Sequence, residues 1–255
     1  MERLRVTGLT KKFGGIYALK DISFSVKDGE KVAIIGPNGA GKTTLLNVLS
    51  GRLFPTTGQV YISGQEVITT PEYRRVHLGL GRSFQLNSLF PSFTVLENVL
   101  LALEGTQPSR FQMFRPLASY KHVFAKAEEL LSSMDLWDKK DDTVQTTSYG
   151  EQRKLEIALS LASEPKLLLM DEPSSGLAAA EVAGLIDLIR NLGGDITVLM
   201  VAHDMDLVFE VAERIIVLHY GEIIAEGTCE EISCDLKVKE IYMGIEGNTG
   251  NAGTN

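Results

Sequence analysis

The stretch from Gly36 to Thr43 has the spacing G-x-x-x-x-G-K-[ST], which is typical of a phosphate-binding loop. The mostly apolar run Lys31 to Ile35 before it predicts a short buried strand. The run Thr43 to Ser50 after it predicts a helix that ends at Gly51. In such an arrangement backbone N–H groups turn inward around an anion, and the N-terminus of the helix favours negative charge. The pattern therefore predicts binding of a nucleotide's phosphates.

Two side chains at the end of this loop have the chemistry that bound phosphates need. Lys42 supplies a positive charge for the β- and γ-phosphates, and Thr43 supplies a hydroxyl for Mg²⁺. We expect Lys42 to lie on the solvent side of the loop, so its removal should leave the fold intact. The other expected nucleotide contacts are Gly36, Pro37, Asn38, Gly39, Ala40, Gly41 and Thr44.

Two acids and a histidine follow apolar runs that predict buried strands. Asp171 and Glu172 come after Leu167 to Met170, and His203 lies just past Ile196 to Val201. Because ligands bind at the carboxyl ends of strands in an open parallel sheet, we expect these side chains to meet the phosphate loop. Asp171 fits the acid that orders Mg²⁺, whereas Glu172 points to the other side and fits a group that polarises water. His203 fits either a core histidine or a functional group of this site.

The composition narrows the class of protein. A chain of 255 residues with 44% hydrophobic residues can form one large domain or two. Its net charge of −8 argues against a general nucleic-acid binder. The N-terminus lacks the apolar stretch of a secretory signal, and apolar runs stay shorter than a membrane span requires. The spacing of Cys229 and Cys234 is not C-x-x-C, so we expect free thiols rather than a disulfide.

Periodicity predicts the elements around the loop. Strands are predicted at Leu4–Leu9, Tyr17–Val26 and Arg82–Gln85, helices at Val95–Leu103, Ala125–Met134, Ser148–Ser163 and Ala179–Leu192, and a hairpin of Arg214–Leu218 with Glu222–Ala225. Ser148 and Glu151 form a capping box, which is by itself a sufficient structural reason for both residues. Phe13, before the Gly14-Gly15 turn, fits either a core aromatic or one that stacks on a nucleotide base.

Taken together, these motifs resemble the ATP-binding subunit of an ABC transporter, over nearly the whole chain. The resemblance implies that Gly36–Thr43 is the Walker A motif and that Leu167–Glu172 is Walker B with its catalytic glutamate. It implies that Thr147–Glu151, through Ser148 and Gly150, is the signature motif that contacts ATP. It implies that Gln85 is a ligand of Mg²⁺ and water and communicates with the membrane subunits. It also implies that His203 contacts the γ-phosphate and that Phe13 stacks on the adenine.

The runs Ser148–Ala158 and Gly81–Asn98 resemble one subgroup more closely, the branched-chain (hydrophobic) amino-acid uptake ATPases. Of the two ATPases that such systems use, the chain is more similar to the LivG type than to the LivF type. It departs from the family pattern at three positions, Thr147, Glu151 and Ala178. Ala178 stands where the family's D-loop commonly has a polar residue, and Glu151 replaces a glutamine with a carboxylate.

The fold that this resemblance implies is an α/β ATPase. A RecA-like core at about 1–85 and 161–246 carries an antiparallel β fringe, and a helical subdomain spans about 86–160. Residues 247–255 are expected to be a disordered tail. Leu86, Leu89, Phe90 and Phe93 are expected either to line a groove for a permease helix or to belong to the core.

The implied function is ATP-driven import. Two subunits, either two copies or one with a paralogous ATPase, would dimerise head to tail and hold Mg-ATP between them. Hydrolysis would drive membrane permease subunits, with a periplasmic or surface solute-binding protein acting indirectly and no nucleic acid involved. The chain would sit at the cytoplasmic face of the inner membrane. A soluble ABC-type ATPase outside transport and a non-catalytic regulatory module are the alternatives, although the chain lacks the second ATPase unit or coiled-coil insertion usual in the former.

Overall fold

The computed structural model describes residues 1–83, 89–106 and 121–243, in two β-sheets with helices. The strands are β1 (Glu2–Phe13), β2 (Ile16–Lys27), β3 (Lys31–Ile35), β4 (Thr57–Ile62), β5 (Gln65–Glu66), β6 (Leu80–Arg82), β7 (Leu167–Asp171), β8 (Thr197–Val201), β9 (Arg214–His219) and β10 (Glu222–Gly227). The helices are α1 (Lys42–Ser50), α2 (Glu72–Val76), α3 (Val95–Thr106), α4 (Lys121–Ser133), α5 (Tyr149–Leu161), α6 (Ala179–Asn191), α7 (Met205–Val211), α8 (Cys229–Cys234) and α9 (Leu236–Met243).

The larger sheet has the strand order β10-β9-β3-β8-β7-β6. Its strands are parallel except for β10, which forms the predicted hairpin with β9. The smaller sheet, ordered β2-β1-β4-β5, is antiparallel throughout. This arrangement confirms the α/β fold with an antiparallel fringe, and it brings the carboxyl ends of β3, β7 and β8 to one edge.

Alternation along β3 separates two hydrophobic cores. Val32 and Ile34 face a core that lies between the two sheets and includes residues of α1. Ala33 and Ile35 face a second core, on the side of α3, α4 and α5, which pack against one another. Because β3 is buried on both faces, its sequence is nearly all apolar, as parallel strands usually are.

The end of α1 is closed by a fully buried arginine. Arg75 donates to the carbonyl oxygens of Val48 and Leu49 at 2.9 and 2.7 Å and to those of Thr70 and Val67 at 2.8 and 2.6 Å. The last carbonyls of a helix lack partners within it, and a cation there is favoured by the helix dipole. Burial lowers the pKa of Arg75 to about 10, with the charge of Glu72 opposing that shift.

A second arginine joins the two sheets. Arg214, on β9, donates to the side chain of Glu30 at 2.7 and 3.0 Å and to the carbonyl oxygen of Ser25 on β2 at 2.6 Å. It also pairs with Glu226 on β10. One guanidinium therefore holds the antiparallel sheet, the β2–β3 turn and the edge hairpin together.

The structure corrects several details of the predicted elements. The predicted strand Arg82–Gln85 is wrong in its extent, since β6 ends at Arg82 and Gln85 lies outside the described ranges. Leu86 and the predicted tail also lie outside them, whereas Leu89 is buried in the core. Phe90 and Phe93 are exposed and stack on each other with ring centroids 5.4 Å apart.

Candidate active site

The phosphate loop, Gly36–Gly41, is held against the rest of the fold by close backbone contacts. A Cβ on Gly41, whose φ is +106°, would lie 2.4 Å from the carbonyl oxygen of Ala18. A Cβ on Gly36 would lie 2.1 Å from the carbonyl oxygen of Leu218. The N–H of Gly221 also donates to the carbonyl oxygen of Ala40 at 2.9 Å. These contacts fix the loop between β3 and α1 and leave no room for side chains at its first and last glycines.

Lys42 is buried within the loop, so the expectation of a solvent-side lysine is wrong. Its side chain donates to the carbonyl oxygens of Gly36 at 2.6 Å and Pro37 at 3.2 Å. Burial lowers the pKa of Lys42, while the charges of Glu172 and Asp171 act to raise it. The ammonium group is therefore held inside the loop by the loop's own carbonyl oxygens.

The remaining loop residues and the first turn of α1 offer an open surface. Asn38, Gly39 and Thr43 are exposed, whereas Ala40 is buried and Thr44 is half-buried. The Thr43 hydroxyl thus lies at the start of α1, where it would reach an ion bound to the phosphates. The cradle has the N–H groups, positive charge and hydroxyl that a nucleotide phosphate with Mg²⁺ requires.

Phe13 lies at the tip of the β1–β2 hairpin and is 51% exposed, which rules out the core interpretation. The ammonium group of Lys11 lies 5.0 Å from the centroid of its ring. The second strand of this hairpin carries Ala18, which touches the phosphate loop at Gly41. The exposed ring therefore belongs to the hairpin that contacts the phosphate loop.

Asp171 ends β7 and is almost completely buried. One of its carboxylate oxygens lies 3.5 Å from the guanidinium of Arg82 on β6, which also donates to the side chains of Asn47 and Ser50 on α1. Burial raises the pKa of Asp171, an effect that Arg82 opposes and the neighbouring Glu172 reinforces. Among the described residues, the hydrogen bond made to this carboxylate is the long one from Arg82, at 3.5 Å, so a cation beside it would be well placed to bind.

Glu172 lies just past β7, in a left-handed backbone conformation with φ of +47°. Its N–H donates to the carbonyl oxygen of Val201 at 2.8 Å, at the end of β8. One Glu172 carboxylate oxygen lies 3.8 Å from Nδ1 of His203. The side chain of His203 is 57% exposed, so the core interpretation of this histidine is ruled out.

Arg153 on α5 organises the backbone of this turn, a role that sequence reasoning missed. It donates to the carbonyl oxygens of Asp171 at 3.0 Å, Glu172 at 2.8 Å and Pro173 at 3.0 Å. Helical spacing was the one sequence signal that could have indicated its burial, because Arg153 shares the buried face of α5 with Gly150 and Ile157. Arg82 was missed as well, because its partner Asp171 is far away in sequence.

Ser148 and Gly150 lie at the start of α5 and make their described contacts away from the phosphate loop. The predicted capping box is present, with the Ser148 N–H donating to Glu151 at 2.8 Å and the Glu151 N–H donating to the Ser148 hydroxyl at 3.3 Å. Glu151 is also paired with Lys139. A Cβ on Gly150 would lie 2.0 Å from a carboxylate oxygen of Glu181, which accepts from the Ala178 N–H. The exposed Ser148 therefore faces outward from this chain.

The residues present fit Mg²⁺ that arrives with a nucleotide. Within residues 1–83, 89–106 and 121–243, no group of three or more His, Cys, Asp or Glu side chains could hold a metal by itself. Thr43 and Asp171 would then be protein ligands of the ion, together with Gln85, which lies outside the described ranges. Both cysteines, Cys229 and Cys234, are free thiols, as expected.

The fold and this site define a class of protein. Residues 19–175 match the family described as ABC transporter, so the chain belongs to this family. A nucleotide-free ATP-binding cassette from an ABC transporter superimposes with a TM-score of 0.85 at 32% identity, covering 95% of this chain and 99% of the other. A dimeric ATP-binding cassette bound to ADP and Pi gives a TM-score of 0.74 at 31% identity over 88% and 98% of the two chains. The chain is an ATP-binding cassette with ATPase activity.

Two relatives in the comparison are ATP-binding proteins of branched-chain amino acid transport. The high-affinity branched-chain amino acid transport ATP-binding protein BraF of Pseudomonas aeruginosa is 36% identical over 248 residues, 94% of this chain and 97% of its own. The corresponding protein LivG of Escherichia coli is 34% identical over 248 residues, with the same coverage. The resemblance to the LivG type is thereby confirmed. None of the helices in the described ranges has the length and apolarity needed to cross a membrane.

Proposed function

We propose that this chain is the ATP-hydrolysing subunit of an importer for branched-chain or other hydrophobic amino acids. The observation that carries the proposal is the similarity to BraF and LivG, which spans 94% of the chain. The chain would act at the cytoplasmic face of the membrane, where permease subunits carry the solute and an external solute-binding protein delivers it.

The proposed chemistry divides the site between binding and proton transfer. The phosphate loop and Lys42 bind the β- and γ-phosphates, and Thr43, Asp171 and Gln85 hold Mg²⁺, which supplies charge neutralisation when bound. Glu172 accepts a proton from the water whose oxygen attacks the γ-phosphorus, while the bond from that phosphorus to the β–γ bridging oxygen breaks. His203, within 3.8 Å of Glu172, contacts the γ-phosphate side.

The exposed position of Ser148, at the start of α5, supports a shared site. We infer that two subunits pair head to tail, so that ATP on one phosphate loop meets the signature residues of the other. The RecA-like core, at about 1–85 and 161–246, would carry the loop, and the helical subdomain, at about 86–160, would carry the signature motif. Closing the dimer would then move the two helical subdomains together with the permeases.

A transport assay tests the solute and the coupling together. The chain is expressed with the permease and binding-protein genes encoded beside it, in cells that lack their own branched-chain amino-acid ATPases. We expect uptake of radiolabelled leucine, isoleucine or valine that is lost with Glu172→Gln. ATP hydrolysis by the purified chain without any amino-acid uptake would favour a soluble ABC-type ATPase.

A further inference from the structure

Arg82 connects helix α1 to the carboxylate of Asp171. One of its terminal nitrogens donates to Oδ1 of Asn47 at 2.9 Å and to Oγ of Ser50 at 2.6 Å, both on α1. The other terminal nitrogen donates to Oδ2 of Asp171 at 3.5 Å, at the end of β7. The side chains of Arg82 and Asp171 are each only 8% exposed. The guanidinium therefore forms a buried bridge between a helix and a strand.

The pairing of β6 with β7 fixes where this bridge begins. Arg82 lies opposite Leu169 in the parallel ladder, and the N–H of Ser83 donates to the carbonyl oxygen of Leu169 at 2.9 Å. Leu169 and Asp171 are two residues apart on β7, so their side chains leave the same face of the sheet. Leu169 belongs to the core that includes residues of α1. The strand register therefore places Arg82 next to both α1 and Asp171.

The face of α1 that receives Arg82 also carries Thr43. Thr43, Asn47 and Ser50 are separated by four and three residues, the spacing that places side chains on one face of a helix. Thr43 lies at the exposed start of this face, whereas Ser50, at its end, is buried. The hydroxyl and the carboxylate assigned to Mg²⁺ thus lie on different elements, and Arg82 is hydrogen-bonded to each of these elements.

We propose that Arg82 is a positioning residue that sets the spacing of Thr43 and Asp171 for Mg²⁺ binding. The assignment of these two residues to Mg²⁺ rests on the proposed function. Asn47 and Ser50 anchor the guanidinium to the helix that carries Thr43. From there it donates to one carboxylate oxygen of Asp171 and leaves the other oxygen for the ion. Groups that hold metal ligands in place typically contribute about 10–100-fold to metal affinity.

The positive charge of Arg82 alone would have the opposite effect, because a guanidinium repels a second cation. A short ion pair with Asp171 would also compete with Mg²⁺ for the carboxylate. The anchors at 2.6 and 2.9 Å hold the guanidinium at 3.5 Å from Asp171, beyond the length of a charge-assisted hydrogen bond. Arg82 therefore orients the carboxylate without closing on it, and the sign of the change in Mg²⁺ affinity separates the two effects.

The first test records the metal site of the purified chain by EPR, with VO²⁺ in place of Mg²⁺ and a non-hydrolysable ATP analogue. The vanadium hyperfine coupling reports which groups are bound to VO²⁺. Asp171→Asn is the reference, because it removes the carboxylate and keeps its shape. We expect Arg82→Met to shift the coupling in the same direction as Asp171→Asn. A shift in Asp171→Asn alone would overturn the proposal, whereas wild-type coupling in both variants would also remove Asp171 from the proposed chemistry.

The second test measures ATP hydrolysis as a function of free Mg²⁺. In Arg82→Met, the Mg²⁺ concentration that gives half of the maximal rate should rise about 10–100-fold. The rate at saturating Mg²⁺ should fall by a smaller factor, because an excess of the ion restores the occupied site. A half-maximal concentration below that of wild type would show that Arg82 only repels the ion and would contradict the positioning role.

A double variant removes the anchors and keeps the charge. Asn47→Leu combined with Ser50→Ala frees the guanidinium to close on Asp171, so the half-maximal Mg²⁺ concentration should rise here as well. An unchanged concentration would show that the anchors have no part in Mg²⁺ binding and would overturn the proposal. Should Arg82→Met fail to fold, the double variant alone decides the question.

The matched control is Arg75→Met, which removes another buried arginine that binds α1, at the carbonyl oxygens of Val48 and Leu49. It should lose stability and keep the wild-type Mg²⁺ dependence and EPR spectrum. A change in Mg²⁺ dependence as large as that of Arg82→Met would assign the effect to a loosened helix and would refute the specific role of Arg82. Since these measurements use the isolated chain, their failure is distinct from a failure of amino-acid transport.

Discussion

At the scale of single residues, one substitution tests Glu172, the proposed general base. Glu172→Gln keeps the shape of the side chain next to His203 and removes its ability to accept a proton. A general base contributes about 10²–10⁴-fold in rate, so ATP turnover should fall by that factor while ATP binding persists. Phosphate release and nucleotide affinity are measured on the same preparation. Near-normal hydrolysis by this variant would remove Glu172 from the mechanism.

Lys42 gives a second prediction at this scale, revised by its buried position. Lys42→Ala removes a donor from the carbonyl oxygens of Gly36 and Pro37 as well as a charge from the phosphates. We expect affinity for ATP to fall about 10–100-fold, the value of a charged hydrogen bond. The melting temperature should fall only slightly, because water can reach the vacated carbonyls of an open loop. Titration with a fluorescent ATP analogue measures the first effect and calorimetry the second. Unchanged affinity would contradict the assignment.

At the scale of elements, α1 depends on Arg75. Arg75→Met removes a donor from four carbonyl oxygens. Those of Val48 and Val67 still accept from the N–H groups of Gly51 and Thr70, whereas those of Leu49 and Thr70 lose the donor that Arg75 supplied. Each buried carbonyl left unpaired costs about 1–3 kcal/mol, so we expect at least about 2 kcal/mol of lost stability in urea unfolding. Arg52→Met, which removes a largely exposed arginine paired with Glu72, serves as the control and should cost under about 1 kcal/mol. Similar losses in the two variants would contradict the capping role.

The contact between Arg214 and Glu30, which joins the two sheets, should stabilise the protein in a pH-dependent way. Burial acts to raise the pKa of Glu30, but bonds from Arg214 and the Lys27 N–H outweigh it and hold the pKa below its ordinary value. A carboxyl group whose pKa is lower in the folded than in the unfolded protein stabilises the fold at pH values above its unfolded-state pKa. This stabilisation is lost as the pH falls through the folded-state pKa. Arg214→Met should therefore cost about 2–3 kcal/mol at pH 7, and less below about pH 4. Urea unfolding at both pH values measures the difference; a cost independent of pH would exclude Glu30 as the main partner.

At the scale of the whole molecule, the exposed Ser148 at the start of α5 and the proposed shared site predict an ATP-dependent dimer. In the Glu172→Gln background, light scattering should show dimers with ATP and monomers with ADP. Adding Ser148→Arg should abolish the dimer. Thr228→Arg is the matched control, because Thr228 caps α8 with the same kind of capping box. Both changes should cost about 1 kcal/mol of stability, but only the first should affect dimerisation. Monomers in every condition, even with a paralogous ATPase supplied, would contradict the shared site.

The sequence predicted the framework of the site well, because local patterns specify it. The strand Lys31–Ile35, the helix after the phosphate loop and the strand before Glu172 lie where apolar runs and glycines place them. Short helices such as α2 and α7 have too few turns for a periodic signal. Arg82 and Arg153 could not be assigned, because their partners are set by packing between distant segments. The burial of Lys42 likewise depends on where the loop's own carbonyls point.

The position of β3 in the larger sheet has a consequence for synthesis of the chain. β3 lies between β8 and β9, so Val32 has Leu199 and Arg214 as its neighbours. Those residues leave the ribosome long after β3, on the order of ten seconds later at ~5–20 residues per second. Until then β3 is an apolar strand without its neighbouring strands, and it ends in the phosphate loop. We therefore expect chaperones to bind the nascent chain. Nucleotide can stabilise the fold only near the end of translation, and a chain released before Leu218 should not bind ATP.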